Sequence, residues 1–128
     1  MAKVSGGVLA ARMLKAEGID VIFSLVGGHI YTLYDACVDE GIRIIDVRHE
    51  EAAAHMAEGY ALTTGKPGVC VVTAGPGFTN MITGTANAFM AGSPILCLAG
   101  HSPLGGYDSL PLQDLNPVSY THLTLPTN

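Results

Sequence analysis

Several residues in this chain have the type and setting to do chemistry. Glu50 lies in Asp46-Val47-Arg48-His49-Glu50-Glu51, where an extended run gives way to a helical stripe. A carboxylate there can hold or exchange a proton with a ligand. It can equally be the acidic residue that a helix N-terminus favours by roughly a few tenths of a kcal/mol. His29 follows Gly27-Gly28 at another strand end. Imidazole exchanges protons near neutral pH, although a solvated loop is also an ordinary home for it. Gln113 lies in the irregular stretch Pro111-Leu112-Gln113-Asp114 and alone indicates nothing. Gly75-Pro76-Gly77-Phe78-Thr79-Asn80 follows a strand and opens a helix, as a dinucleotide loop does. Asn80 stands where the third glycine belongs, however, and Pro76 removes one backbone donor.

Other apparent motifs fail on spacing. In His49-Glu50-Glu51-Ala52-Ala53-Ala54-His55 the histidines are six apart, not the four of HExxH, so on a helix they diverge and cannot share a zinc. Thr64-Gly65-Lys66-Pro67 has proline where a phosphate loop needs Ser or Thr, and Tyr60 where its first glycine belongs, so it reads as a turn. No metal site is expected. Cys37, Cys70 and Cys97 stand singly in apolar runs without CxxC, the pattern of reduced thiols packed as small hydrophobes.

These residues must be held by elements, and the apolar periodicity supplies them. Val4, Val8, Ala11 and Leu14 recur at helical spacing, with Ser5 as a cap and Gly18 as the stop. Val21–Val26 is a β-rich run, Ile30–Glu40 a helix stopped by Gly41, and Ile42–Val47 a second strand. Ala53, Met56, Ala57, Tyr60, Ala61 and Thr64 form a helical stripe ended by Gly65 and Pro67. Val69–Thr73 is continuously apolar, as in a strand covered on both faces. Phe78, Ile82, Thr85 and Phe89 mark another helix, and Ile95–Ala99 a fourth strand. Helices alternating with strands across short loops predict an α/β fold, a parallel sheet with helices on both faces. Ligands of such sheets lie outside the carboxyl ends of the strands, which directs attention to loops 26–29, 47–51, 73–80 and 100–113.

Composition narrows the function classes. The chain has 128 residues, enough for one compact domain, and is 48% apolar. Its net charge of −5 argues against a nucleic-acid or anionic-membrane partner. All six basic residues precede Pro67, and the second half carries only Asp108 and Asp114, so that half is expected inside a core or an interface. Met81–Gly100 lacks charge but is broken by Asn87, Ser93, Pro94 and glycines, which argues against a membrane span. MAKVSGG resembles an ordinary cytosolic start with no signal peptide, and a cytoplasmic location is expected.

Together the motifs resemble one family. Gly27-Gly28-His29, Arg48-His49-Glu50-Glu51-Ala52-Ala53, Ala57-Glu58-Gly59-Tyr60-Ala61 and Thr73-Ala74-Gly75-Pro76-Gly77-Phe78-Thr79-Asn80 occur in order. Over about residues 4–116 they closely resemble the N-terminal pyrimidine-binding domain of thiamine diphosphate enzymes of the acetolactate synthase type. Gly28-His29-Ile30 and Leu112-Gln113 look most like benzaldehyde lyase, whereas acetolactate synthases usually have a small residue where this chain has His29. The 2-hydroxyacyl-CoA lyase and oxalyl-CoA decarboxylase branch is a near neighbour.

The resemblance implies that Glu50 hydrogen-bonds N1′ of the cofactor's aminopyrimidine, favouring the imino tautomer whose N4′ deprotonates thiazolium C2. It implies that Gly27, Gly28, Thr73, Pro76, Gly77 and Asn80 line the cofactor pocket, with Asn80 capping its helix or bonding across a dimer contact. His29 and Gln113 would face a small carbonyl or 2-oxo acid substrate. The implied reaction makes or breaks a C–C bond beside a carbonyl, as in acyloin cleavage, carboligation or decarboxylation. The family works as dimers or tetramers, and acetolactate synthases also bind FAD in a middle domain. A C-terminal domain holds Mg²⁺ and the diphosphate through a GDG…N motif absent from this chain. The expectation is therefore an incomplete domain over residues 1–116, the thiamine diphosphate-binding fold truncated before its last elements and inactive alone. Residues 117–128 are expected to be a tail unrelated to the family. Two further readings stay open: a non-catalytic binding or dimerisation module, and a nucleotide-binding domain using Gly75-Pro76-Gly77.

Overall fold

In the computed structural model, described here for residues 3–103, 105 and 111–115, helices and strands alternate along the chain. The expected tail 117–128 lies outside the described residues. The elements are α1 (Gly6–Ala16), β1 (Val21–Ser24), a 3₁₀ turn (Gly28–Ile30), α2 (Tyr31–Asp39), β2 (Arg43–Asp46), α3 (Glu50–Thr64), β3 (Gly68–Val72), α4 (Pro76–Ala91) and β4 (Ile95–Ala99). β1 and β2 come out two residues shorter than their apolar runs, β1 losing its last two residues to the following loop and β2 one at each end, whereas β3 is shifted one residue earlier and β4 keeps the expected bounds.

Local signals explain the boundaries. Ser5 Oγ accepts the amide N–H of Val8 at 3.3 Å and caps α1. Gly65 and Gly92 close α3 and α4 in the left-handed conformation, at φ of 70° and 65°. All strand pairs are parallel and the order is β2-β1-β3-β4. The chain thus winds outward one way from β1 to β2 and the other way from β3 to β4. The switch between the two directions lies between β1 and β3.

The central strand β3 is buried throughout, and its alternation divides the core. Val69 and Val71 join Ile22, Leu14, Leu33 and Cys37 under α1 and α2. Cys70 and Val72 join Phe23, Ala53, Ala57 and Met81 under α3 and α4. Gly68 shows how close the layers come: a methyl there would stand 1.9 Å from the Ala57 carbonyl oxygen.

The three cysteines are free thiols, Cys37 and Cys70 buried and Cys97 partly so, as the sequence leads one to expect, but two of them meet. Cys70 and Cys97 face each other in register across β3 and β4, with sulfurs 3.3 Å apart. The Cys70 S–H is also 3.4 Å from Met81 Sδ on α4. Their separation along the chain concealed this pairing. Through that contact, and through burial, the Cys70 thiol is pushed up, while the hydrogen bond it donates holds Cys97 below the usual thiol range.

Candidate functional site

The carboxyl ends of the strands gather most of the polar groups singled out in the sequence. Glu50 is the first residue of α3, immediately after the β2 loop, and is 7% exposed. Asn80, one turn into α4, donates from Nδ2 to Glu50 Oε2 at 2.9 Å. Asn80 therefore lies inside the helix and does not cap it; Gly75, at φ 62°, occupies the cap position. A carboxylate buried beside a helix N-terminus and an amide donor is held in one orientation and sits in a low dielectric. Both features strengthen any bond it makes.

Glycines shape the surroundings of that carboxylate. A methyl on Gly77 would stand 3.5 Å from Glu50 Oε1 and 2.8 Å from Thr73 Cγ2, so the backbone there is bare beside the second carboxylate oxygen. A methyl on Gly27 would strike Thr73 Cβ at 2.3 Å. The loops after β1 and β3 therefore touch at the switch point, where open parallel sheets bind ligands.

His29 projects from the 3₁₀ turn after β1, half-buried, with Nδ1 3.3 Å from Thr73 Oγ1. Gly100, just beyond β4, lets the backbone close on His29: a methyl there would lie 2.6 Å from His29 Cβ. Gly100 is a site-shaping residue that the sequence reading did not single out, although it ends an extended run. Gln113, at φ 62° and unusual for a non-glycine residue, lays its carbonyl oxygen 2.7 Å from where a methyl on Gly75 would stand. Thus Glu50, Thr73, Gly77, Asn80, Gly27 and His29 converge, and Gln113 borders them through Gly75. Pro76 is the exposed first residue of α4, and the open space around Gly28 shows no close approach there.

Other places on the molecule suit chemistry less well. An apolar groove of about 430 Å³ lies between α1 and β4, lined by Met13, Leu14, Val69, Leu96 and Leu98 among others. Glu17 is its one charged lining residue, and Ile19 and Pro67, which precede β1 and β3, also line it. His49 Nδ1 and His55 Nε2 lie 3.9 and 3.7 Å from opposite oxygens of Glu51, one beyond each, so the imidazoles are separated by the carboxylate. Among the described residues, no group of three or more His, Cys, Asp or Glu is arranged to hold a metal.

Fold and crevice define a class: an open parallel α/β domain whose polar groups collect at the topological switch point. The chain belongs to the thiamine pyrophosphate enzyme family, whose N-terminal TPP binding domain matches residues 4–120. It is 46% identical over 114 residues to the probable acetolactate synthase of Mycobacterium bovis, covering 89% of this chain and 21% of that protein. It is 44% identical over 100 residues to the probable acetolactate synthase large subunit of Methanocaldococcus jannaschii, covering 78% of this chain and 17% of that protein. It is also 52% identical over 95 residues to human 2-hydroxyacyl-CoA lyase 2, covering 74% of this chain and 15% of that protein. The chain thus spans about a fifth or less of the length of these relatives. None of these relatives is named a benzaldehyde lyase; they are named for the two neighbouring branches. Among the described residues, no helix is long and apolar enough to cross a membrane.

Proposed function

We propose that this domain binds the aminopyrimidine of thiamine diphosphate through Glu50, as part of an enzyme that makes or breaks C–C bonds beside a carbonyl. The observation that carries the reading is the buried Glu50 carboxylate, with one oxygen engaged by Asn80 and the other beside the bare backbone of Gly77. A flat heterocycle with a ring nitrogen fits such a cradle: it needs a carboxyl group held in plane to share a proton with that nitrogen, and no side chain in its way. When bound, the cofactor supplies an electron sink for a carbanion beside the carbonyl.

The chain's own residues do the rest. Asn80 keeps the carboxylate aimed, and burial keeps water from competing for it. Glu50 holds a proton against the ring nitrogen. Thr73 engages His29 Nδ1, so Nε2 is the nitrogen left to exchange a proton with substrate oxygen. Gln113 borders the same space and would hold a substrate hydroxyl.

Benzaldehyde lyase-like acyloin cleavage and carboligation is the leading activity, supported by His29 and Gln113 at the crevice. An acetolactate synthase-like or 2-hydroxyacyl-CoA lyase-like enzyme is the second reading, supported by the relatives' names and identities. Residues 1–116 would be the incomplete domain and 117–128 a foreign tail, although the family match runs on to residue 120; the parent would be a cytoplasmic homodimer or homotetramer, with Mg²⁺ held elsewhere in it. Reading the genomic locus across the Pro117 codon tests the boundary: a frame continuing into a GDG…N motif supports it, and a genuine stop after Asn128 overturns it. In the parent enzyme, Glu50→Gln is expected to lower thiamine diphosphate-dependent turnover on the order of 10²–10⁴-fold. Unchanged turnover would overturn the assignment of Glu50. His29→Ala is expected to abolish lyase turnover while leaving cofactor binding intact; synthase turnover surviving that change would favour the second reading.

A further inference from the structure

Glu58 lies two helical turns beyond Glu50 on the same face of α3, and is also buried, at 6% exposure. Its Oε2 accepts from Asn87 Nδ2 of α4 at 2.7 Å, and its Oε1 lies 3.4 Å from the Ser93 hydroxyl just past the end of α4. His55 Nδ1 adds a contact at 3.6 Å to Oε2. The pattern at Glu50 therefore recurs: a carboxylate of α3 takes a carboxamide N–H from α4.

Between the two pairs the helices meet without spacing. A methyl on Gly84 would stand 2.6 Å from Ala54 Cβ and 2.9 Å from the Glu51 carbonyl oxygen. The three contacts, Glu50–Asn80, Ala54–Gly84 and Glu58–Asn87, ascend together along both helices, which thus run parallel. Ala54 is four residues from each glutamate, about 6 Å along the axis. The close contact is a fulcrum with one clasp on either side, so rotation that opens one clasp displaces the other.

We propose that Glu58, with Asn87, is a positioning residue for Glu50: its clasp fixes the register and tilt of α3 on α4 and thereby holds the Glu50 carboxylate against the cofactor ring. The proposal rests on the function given above, and Glu50→Gln serves as its benchmark. No proton or electron moves at Glu58. Its effect is geometric, and a misplacement on the order of 1 Å at reacting groups can cost about 10²-fold in rate.

The test uses the full-length parent enzyme, with three readouts: thiamine diphosphate affinity by equilibrium dialysis, kcat and KM for the carbonyl substrate, and urea midpoint of the cofactor-free protein. Glu58→Gln is expected to weaken cofactor affinity and lower kcat, each roughly ten- to a hundredfold, with little change in substrate KM. In a Glu50→Gln background the same change is expected to add almost nothing, because both act through one carboxylate. Combining Glu58→Gln with Asn87→Asp reverses donor and acceptor, and is expected to restore affinity and kcat. If Glu58→Gln does not fold, Asn87→Ala, at the exposed end of the same bond, is read by the same criteria. Loss of urea stability with affinity and kcat intact would overturn the proposal, as would equal losses in both backgrounds or failure of the reversed pair to rescue. If Glu50→Gln itself changes neither affinity nor turnover, the functional reading fails. If Glu50→Gln is severe and the clasp variants are silent, only the positioning role fails.

Discussion

Gly84→Ala offers the cleanest trial of the α3–α4 contact, because two opposing effects can be weighed against each other. In a helix interior, alanine is favoured over glycine by about 0.8–1 kcal/mol. At Gly84 the new methyl meets Ala54 Cβ at 2.6 Å, the Glu51 carbonyl oxygen at 2.9 Å and the His55 amide nitrogen at 3.3 Å. Carbon atoms pack best at about 3.5–4.0 Å, so α3 would have to withdraw by roughly 1 Å. None of the three atoms is the far end of a flexible side chain. Overpacking of this kind costs about 1–3 kcal/mol, which exceeds the propensity gain and leaves a net loss of about 1 kcal/mol or more. Gly59, on α3, is the control: a methyl there meets nothing within 4 Å. The same substitution at Gly59 should therefore stabilise by about 0.5–1 kcal/mol. Urea unfolding followed by circular dichroism separates the two. With an m-value of about 1–3 kcal/mol per molar, Gly84→Ala should lower the midpoint by several tenths of a molar while Gly59→Ala raises it. A Gly84→Ala protein as stable as its parent would refute the close-contact argument, and with it the fulcrum on which the positioning role of Glu58 depends.

Two further outcomes follow from the thiols. Cys97, partly exposed and with its thiol held below the usual range by the bond from Cys70, should be alkylated by iodoacetamide well before the buried Cys37 and Cys70. Peptide mass spectrometry reads the order, and equal labelling of all three would contradict the packing. Burial raises the Cys37 thiol, so the folded chain holds that proton more tightly than the unfolded chain does. Its contribution is complete below the unfolded thiol's value of about 8.5 and is lost as pH rises through the folded value. Urea midpoints measured from pH 8 upward should decline, and decline less in Cys37→Ala; identical slopes in the two proteins would count against a buried Cys37.

Much of the scaffold was legible because it is written in local periodicity. The stripe from Ala53 to Thr64, the continuous apolar run at β3, and the glycine stops at Gly18, Gly41 and Gly65 mark elements through near-neighbour physics alone. The motifs that resemble the thiamine diphosphate family gave Glu50, and its place at the start of a helix beyond a strand holds in the structure. Pairing was not legible. Asn80 was expected to cap a helix or reach across an interface; it lies inside the helix rather than at its cap, and the bond it makes within the chain is to Glu50. The cysteines read as reduced, packed thiols, which they are, but nothing in the sequence says that Cys70 and Cys97 share a register position. Glu58 stood unremarked within Ala57-Glu58-Gly59-Tyr60-Ala61, because nothing in the neighbouring residues indicates what will cover it.

The division follows from what each level can encode. The sequence by itself determined the elements, the covered central strand, the clustering of charge in the first half and the family. Side-chain period fixes which face of a helix or strand is apolar, and turn residues fix where it ends. Only the tertiary structure decided the strand order β2-β1-β3-β4, the meeting of His29 with Thr73 at the switch point, and the two carboxylate–carboxamide clasps between α3 and α4. Those contacts join residues about 30 to 44 positions apart. They depend on the direction in which each parallel crossover is wound and on how closely glycine lets two backbones approach. Periodicity states that a face must be buried; packing alone selects its partner.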